Sequence, residues 1–446
     1  MIEKIPPQAL NVEKTVLASA LINKDACESL IENIDDHNVF YSTANQIIFI
    51  AIKSLFNTGS PVDIINTVEH LKKTEELEKC GTETYLSELV DEVSTVINII
   101  SHIKIIKEKY KLRKWIQLGN EIINMGYIPD MESEQLEADV EKKLMSFSDK
   151  EKGKTVHIKD KMGKVFEEME KAALGKHDGI TTGFKGIDDK TGGFYPGDLI
   201  ILAARPSMGK SAMMNNIAIN CWNLIKKPIL IFSLEMSTES LIRRMLSSVS
   251  NVGGTVLRRG LMNHNDQRKL AFAASELCEK NIYINDDPYL NVYKIRTIAM
   301  RLHRKHNFGL IAIDYLQKIR DVGKFENKRI ETAEKSAVLK ALAKELKIPV
   351  IALAQLSRAC ETRPNKRPIL SDLRETGDIE QDADVVSFLF RPFMAGESND
   401  PSEAEFIISK QREGEIGTVP LSFNGAITTF TDLTENDNED KNEYSF

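Results

Sequence analysis

Ala204-Arg205-Pro206-Ser207-Met208-Gly209-Lys210-Ser211 has the spacing of a phosphate-binding loop, with an apolar run over 199–203 before it and a helical run over 212–225 after it. Main-chain N–H groups of such a loop, and of the helix it opens, wrap phosphate oxygens. In that arrangement Lys210 reaches the β- and γ-phosphates and the Ser211 hydroxyl holds Mg²⁺. Ala204 stands where the general motif has Gly. Three further apolar runs end in a polar residue suited to the same chemistry. The run 310–313 is followed by Asp314, placed to orient Mg²⁺ and its water. The run 229–234 is followed by Glu235, a base for polarising an attacking water, and 350–354 by Gln355, a sensor of the γ-phosphate. Ligands of an open α/β sheet bind at the carboxyl ends of its strands, so all four points converge on one edge. A polar strand end facing solvent is the ordinary reading of any one of them. Together they point to binding and hydrolysis of a nucleoside triphosphate.

Two groups of cations lie further on. Residues 357–374 gather Arg358, Arg363, Lys366, Arg367 and Arg374 against Glu361 and Asp372, a basic stretch in a chain of formal net charge −7. It runs directly into Arg374-Glu375-Thr376-Gly377-Asp378, where the glycine amide can approach a phosphate closely. A solvated loop is the plain alternative. Without aromatic residues the stretch suits a grip on a nucleic-acid backbone rather than base stacking, hence little sequence specificity. Lys410 and Arg412 lie just past a late strand. They are either an ordinary basic strand end or an arginine finger lent to a neighbour's nucleotide.

These residues must be positioned by an α/β body. From residue 199 onward short apolar runs alternate with helical stretches, including 228–232 and 385–390, the pattern of a parallel sheet covered by helices on both faces. The first third is helical instead. Val12, Val16, Leu17, Ala20 and Leu21 recur at helical spacing, as do Val96, Ile99, Ile100, Ile103 and Ile106. A hairpin of two long helices is the simplest account of 85–147. Residues 148–156 read as a linker. After it Met162, Val165, Phe166, Met169, Ala172 and Ala173 trace one apolar stripe, which must bury itself on its own core or on a neighbouring subunit. The expected organisation is an all-α domain over 1–148, a linker with one helix over 149–179, an α/β domain over 180–434 and a disordered acidic tail over 435–446.

Composition narrows the class. At 446 residues the chain has room for two or three cores, and no apolar run approaches the length of a membrane span. The start carries no secretory signal, and five scattered cysteines without a CxxC pair read as reduced thiols of a cytoplasmic protein rather than a zinc site. His303 and His306 lack accompanying carboxylates or cysteines and read as a solvated helix face. The acidic balance confines any nucleic-acid contact to a local patch or channel.

At these motifs the sequence resembles the DnaB-type replicative DNA helicases of bacteria and their phages. The residues that carry the resemblance are 203–211, 232–237, 313–317, 355–358, 367–384 and 410–412, with 182–188 and, near the N-terminus, Pro6, Pro7, Glu13, Val16 and Leu17. It spans nearly the whole chain. It implies a RecA-like P-loop NTPase core, with ATP bound between adjacent subunits of a homohexamer. Ser207, Gly209, Lys210, Ser211 and Ala212 would bind ATP–Mg²⁺, with Asp314 on the metal side and Glu235 as base. Gln355 and Arg244 would read the γ-phosphate, and Lys410 and Arg412 would act in trans. Arg374, Glu375 and Gly377 would hold single-stranded DNA, and the helix carrying Met162 would dock on the next subunit. The resemblance further implies 5′→3′ translocation, unwinding of forked DNA, a primase partner at the N-terminal collar and a helicase loader. Ser237, Thr376 and Glu415 are mild departures, and 391–395 lacks the family's acidic, Tyr-rich run. A RecA-like recombinase that binds DNA without unwinding it would not need the N-terminal domain. An inactive recruiting module would show decayed Lys210, Glu235, Asp314 or Gln355.

Overall fold

The structure, a computed structural model, describes residues 5–91, 99–129, 133–149, 157–173, 179–321, 328–376 and 379–433. The chain divides into two units, Met1–Glu132 and Ser133–Phe446.

In the first unit, apolar residues at helical spacing become the buried faces of α1 (Leu10–Ile22), α2 (Lys24–Asn33), α3 (Thr43–Asn57), α4 (Ile64–Lys73), α5 (Thr82–Asp91) and α6 (Ile99–Gly126). Val16, Leu17, Leu30, Phe40, Ile48, Phe49, Ile52, Leu86, Ile103 and Ile106 meet in one core. Side-chain caps fix where helices begin: Asn23 accepts from Ala26 N at 3.0 Å and Asp63 from Asn66 N at 2.8 Å. Glu13 is buried in this apolar setting, and its carboxylate accepts from Tyr41 N, Ser42 N and Asn45 Nδ2. Those bonds offset the cost of burying the charge.

The hairpin expected over 85–147 is divided. Its second helix, α7 (Ser133–Asp149), belongs with the second unit, where Ala138 enters the sheet core. Its partners there are Glu334, paired with Lys142 at 2.6 Å, and Lys294, paired with Glu137 at 2.7 Å. An amphipathic stripe states that a face must be covered but not by what. Further along comes α8 (Lys159–Ala173), which presents Met162, Val165, Phe166 and Met169 to solvent.

The second unit continues with α9 (Lys185–Thr191), β1 (Leu199–Ala204), α10 (Lys210–Ile225), β2 (Ile229–Ser233) and α11 (Thr238–Ser250). Next are α12 (Gly254–Arg259), α13 (His264–Glu279), β3 (Ile282–Asn285), α14 (Val292–His306), β4 (Leu310–Asp314), α15 (Lys328–Leu346) and β5 (Val350–Gln355). The chain then forms α16 (Ile379–Asp382), β6 (Val385–Phe390), α17 (Pro392–Ala395), β7 (Glu403–Gln411), β8 (Gly417–Asn424) and β9 (Thr429–Asp432). The strands form one sheet in the order β3-β2-β4-β5-β1-β6-β7-β8-β9, parallel from β3 to β6 and antiparallel from β6 to β9. Strands β1 and β6 are buried at every position, as central parallel strands covered on both faces must be. Side chains of opposite parity enter separate cores: Ile201 and Ala203 pack with α14 and α15, whereas Ile200 and Leu202 pack with α10.

The RecA-like α/β class and the helical N-terminal domain expected from the sequence are what the chain forms. Strands β3, β8 and β9 lie outside the strands read from the sequence. Strand β8 alternates exposed and buried residues around Pro420, a weaker signal than a continuous apolar run.

Candidate active site

The loop between β1 and α10 is fixed by backbone conformation. Gly209 has φ 97°, and a Cβ there would lie 2.8 Å from Phe430 Cζ, so glycine is required both for the turn and for the space. Ser207 shares the left-handed region at φ 67°. Arg205 clamps the loop from outside: its Nε donates to Glu361 Oε1 at 2.8 Å and its Nη1 to Leu356 O at 2.8 Å. Helix α10 then starts at Lys210, pointing its amino end into the crevice, with Ala212 buried behind it.

Asp314 ends β4 fully buried and accepts from Ser211 Oγ at 2.6 Å through Oδ2. Its Oδ1 has no hydrogen-bond partner among the described residues. Burial raises the Asp314 pKa, while the Ser211 hydroxyl, Lys210 and Arg244 pull it down. Lys210 Nζ lies 4.2 Å from the centroid of the Tyr315 ring. Burial lowers its pKa, and the negative charges of Asp314 and Glu235 work against that. A buried carboxylate oxygen without a partner, beside a serine hydroxyl, fits a hard divalent cation that takes its remaining ligands from phosphate and water. Among the described residues there is no cluster of three His, Cys, Asp or Glu side chains of the kind that cages a metal by itself.

Glu235 sits at the turn after β2, which Leu234 N ties to Asp314 O at 2.7 Å and Ser233 Oγ closes onto Met236 O at 2.7 Å. Its side chain is exposed at the crevice edge. Gln355 ends β5, paired with Ala204 at the start of the loop. Its main chain is held on both sides by Gln317, which donates from Nε2 to Gln355 O at 3.0 Å and accepts from Gln355 N at 3.1 Å. Sequence reasoning gave Gln317 no role of its own. Its signal is an amide side chain three residues beyond Asp314.

An aromatic platform beside the loop was also missed. Phe423 and Phe430, opposed across β8 and β9, lie with ring centroids 4.4 Å apart, and the Arg391 guanidinium sits 4.3 Å over Phe423. Phe430 is the ring that crowds Gly209, so this stack borders the phosphate loop. The missing Tyr-rich run at 391–395 concealed it, because the aromatic residues come from the following hairpin.

Lys410 and Arg412 are not brought to this crevice. Strand β7 runs antiparallel to β6, so Lys410 is level with Val386, and Val386 with Ile201 near the beginning of β1. The Arg412 N–H donates to Asp384 O at 3.1 Å, and Asp384 N to Leu199 O at 3.0 Å. The two cations therefore lie at the amino edge of the sheet. Along β1, at ~3.3 Å per residue, the phosphate loop lies about 16 Å from the level of Arg412 and about 10 Å from that of Lys410. Burial, then the nearby Arg412 charge, lowers the Lys410 pKa.

The basic stretch 357–374 is largely occupied within the chain. Arg363 pairs with Asp372 at 2.6 Å, Arg367 with Glu405 at 2.6 Å and Glu397 at 3.0 Å, and Lys366 Nζ donates to Ala395 O at 2.6 Å. Arg358 is exposed. The backbone turns in 3-10 form over Leu370–Thr376. The side chains of Arg374 and Glu375, and the whole of Gly377, lie outside the described residues.

With this geometry in hand, two family matches cover most of the chain: the DnaB-like helicase C terminal domain over residues 179–432 and the DnaB-like helicase N terminal domain over 5–108. The chain is 40% identical over 445 residues to the replicative DNA helicase DnaB of Buchnera aphidicola subsp. Baizongia pistaciae (strain Bp), spanning 98% of this chain and 96% of that one. It is also 40% identical to the replicative DNA helicase DnaB of Geobacillus stearothermophilus, over 97% of this chain and 96% of that one. Among solved structures it resembles a DnaB-like replicative helicase described with its interactions with primase, at a TM-score of 0.71 and 30% identity, covering 95% of this chain and 100% of that one.

Proposed function

Because this chain belongs to the DnaB-like helicases and is a replicative, ATP-dependent DNA helicase, we propose that the carboxyl edge of its sheet binds and hydrolyses ATP with Mg²⁺. The observation that carries the assignment is the meeting of Lys210 and Ser211, from the loop and helix after β1, with Asp314 at the end of β4, on either side of β5, around the buried Asp314 carboxylate. The loop amides of Ser207 to Ala212 wrap the phosphates, and Lys210 balances charge on the β- and γ-groups. Ser211 and Asp314 would hold Mg²⁺, which when bound neutralises charge gathering on the phosphate oxygens. Glu235 accepts the proton of the attacking water as the bond between the γ-phosphoryl group and its bridging oxygen breaks. Gln355, its main chain fixed by Gln317, and Arg244 contact the γ-phosphate. Arg391 and Phe423 form a stacking surface for the base.

Lys410 and Arg412 serve the nucleotide of the next subunit. What supports this reading is their place at the amino edge, farther from their own phosphate loop than an arginine side chain extends. A homohexamer with ATP at each interface follows. The exposed stripe of α8 docks on the neighbour, and the segment with Arg374, Glu375 and Gly377 grips single-stranded DNA by its backbone during 5′→3′ travel at a fork. The N-terminal helical domain forms a collar and meets primase, a contact suggested by the solved relative described with its primase interactions. A loader that places the ring on DNA, and a cytoplasmic nucleoid setting, complete the proposal.

Strand displacement on forked DNA with ATP and Mg²⁺, alongside phosphate release, tests the site. Lys210→Ala is expected to lower hydrolysis by about 10²-fold or more and to abolish displacement. Wild-type turnover in that variant would remove the assignment.

A further inference from the structure

Three elements meet on Asp384, the buried residue between α16 and β6. Its Oδ2 accepts from Leu199 N at 2.8 Å, at the start of the strand that ends in the phosphate loop, and from Lys340 Nζ. On its other side the Arg412 guanidinium lies 3.5 Å from Oδ1. The same region ties both amino-edge cations to α16. Lys410 Nζ donates to Glu380 O and to Ala383 O at 2.9 Å, and Arg412 Nη2 donates to Gln381 O at 3.0 Å. Helix α16 has four residues, too few to satisfy its own terminal carbonyls, so cations supply the missing donors.

We propose that Asp384 is a positioning residue that couples DNA engagement to Lys410 and Arg412. The inference rests on the reading that these cations act in trans. Helix α16 begins two residues after Gly377 in sequence, so DNA held by the segment of Arg374, Glu375 and Gly377 would act next on the carbonyls that hold both cations. A lysine has three donors, and two of those on Lys410 are taken by the carbonyls of Glu380, in α16, and Ala383, just past it. Full engagement of a neighbour's phosphate therefore draws it off those carbonyls. Asp384 keeps this exchange in register by anchoring the α16–β6 junction and Arg412 to β1. Its removal leaves the cations present but no longer answering to DNA.

The readout is the ratio of ATP turnover with and without single-stranded DNA, on full-length rings. Asp384→Asn is expected to lower that ratio by about tenfold, the scale of one charge-assisted bond. The KM for ATP and the affinity for single-stranded DNA should stay within about twofold of wild type, and Asp384→Glu should recover part of the ratio. An unchanged ratio overturns the proposal, as does a fall matched by an equal loss of DNA affinity. Where Asp384→Asn fails to assemble, hydrogen exchange on wild-type rings decides. Single-stranded DNA should alter protection over 379–384 and 409–413 together, and a change confined to the first peptide overturns the coupling. Arg412→Ala rings with full turnover would instead remove the trans reading, a result distinct from any outcome at Asp384.

Discussion

The carboxyl of Asp198, at the foot of β1, is pushed up to about 6, chiefly by burial and then by the nearby charge of Asp384. A carboxyl whose folded pKa lies above its unfolded value of about 3.9 binds protons more readily when folded. Its stabilising contribution is complete below pH 4 and fades as pH rises through 6. Asp198→Asn is therefore expected to melt a few degrees higher than wild type at pH 8, with the gap closing towards pH 5. Thermal melts across that range check it, and a gap that widens on acidification would show the wrong sign. The same scale shows where residue types mislead. Arg363 and Arg367 read as cations offered to a ligand because Asp372, Glu397 and Glu405 join them only through the fold. The placement of Asp314 and Gln355 at the carboxyl edge was legible because each stands at the end of its own apolar run, and that of Lys210 because it closes the glycine loop that follows one.

Among elements, strands with continuous apolar runs announced themselves, whereas of those with alternating burial β7 was read only as a late strand and β8 not at all. Strands β1, β2, β4, β5 and β6 are buried at nearly every position, which writes a run of Leu, Ile, Val and Ala into the sequence. Strands β7 and β8 bury every second residue, a pattern that their charged and proline positions blur. The allegiance of α7 was illegible for a different reason. Its stripe gives a face, whereas Glu334 and Lys294 give the surface that receives it, and neither is near in sequence. Helix α8 keeps Phe166 58% and Met169 61% exposed, more apolar surface than an isolated helix of this kind retains without a partner. Phe166→Asp with Met169→Asp should leave the circular dichroism spectrum and melting of the chain near wild type. In sedimentation velocity the same pair should shift the protein from the proposed hexamer to smaller species. Rings that survive both changes would exclude this helix as the subunit contact.

For the whole molecule, the decisive prediction concerns mixtures. On the proposed trans reading, rings made only of Glu235→Ala subunits would lack the base, and rings made only of Arg412→Ala subunits would lack the lent cation. When the two are co-assembled at random, about a quarter of interfaces combine an intact base with an intact neighbouring arginine, since contacts run head to tail. Turnover of the mixture should rise to that fraction of wild type. A mixture as inactive as its parents would place both residues in the same subunit's site.

The sheet holds the phosphate loop at one edge and Lys410 with Arg412 at the other, joined by the hydrogen-bonded strands β1 and β6. Such a body is a vector: it takes in at one end and gives out at the other. Identical vectors closed into a circle all point the same way round, so an event at one interface has a defined successor and a defined predecessor. In the proposed ring a sense of rotation would thereby be written into the order of the strands, before any DNA supplies a direction of its own.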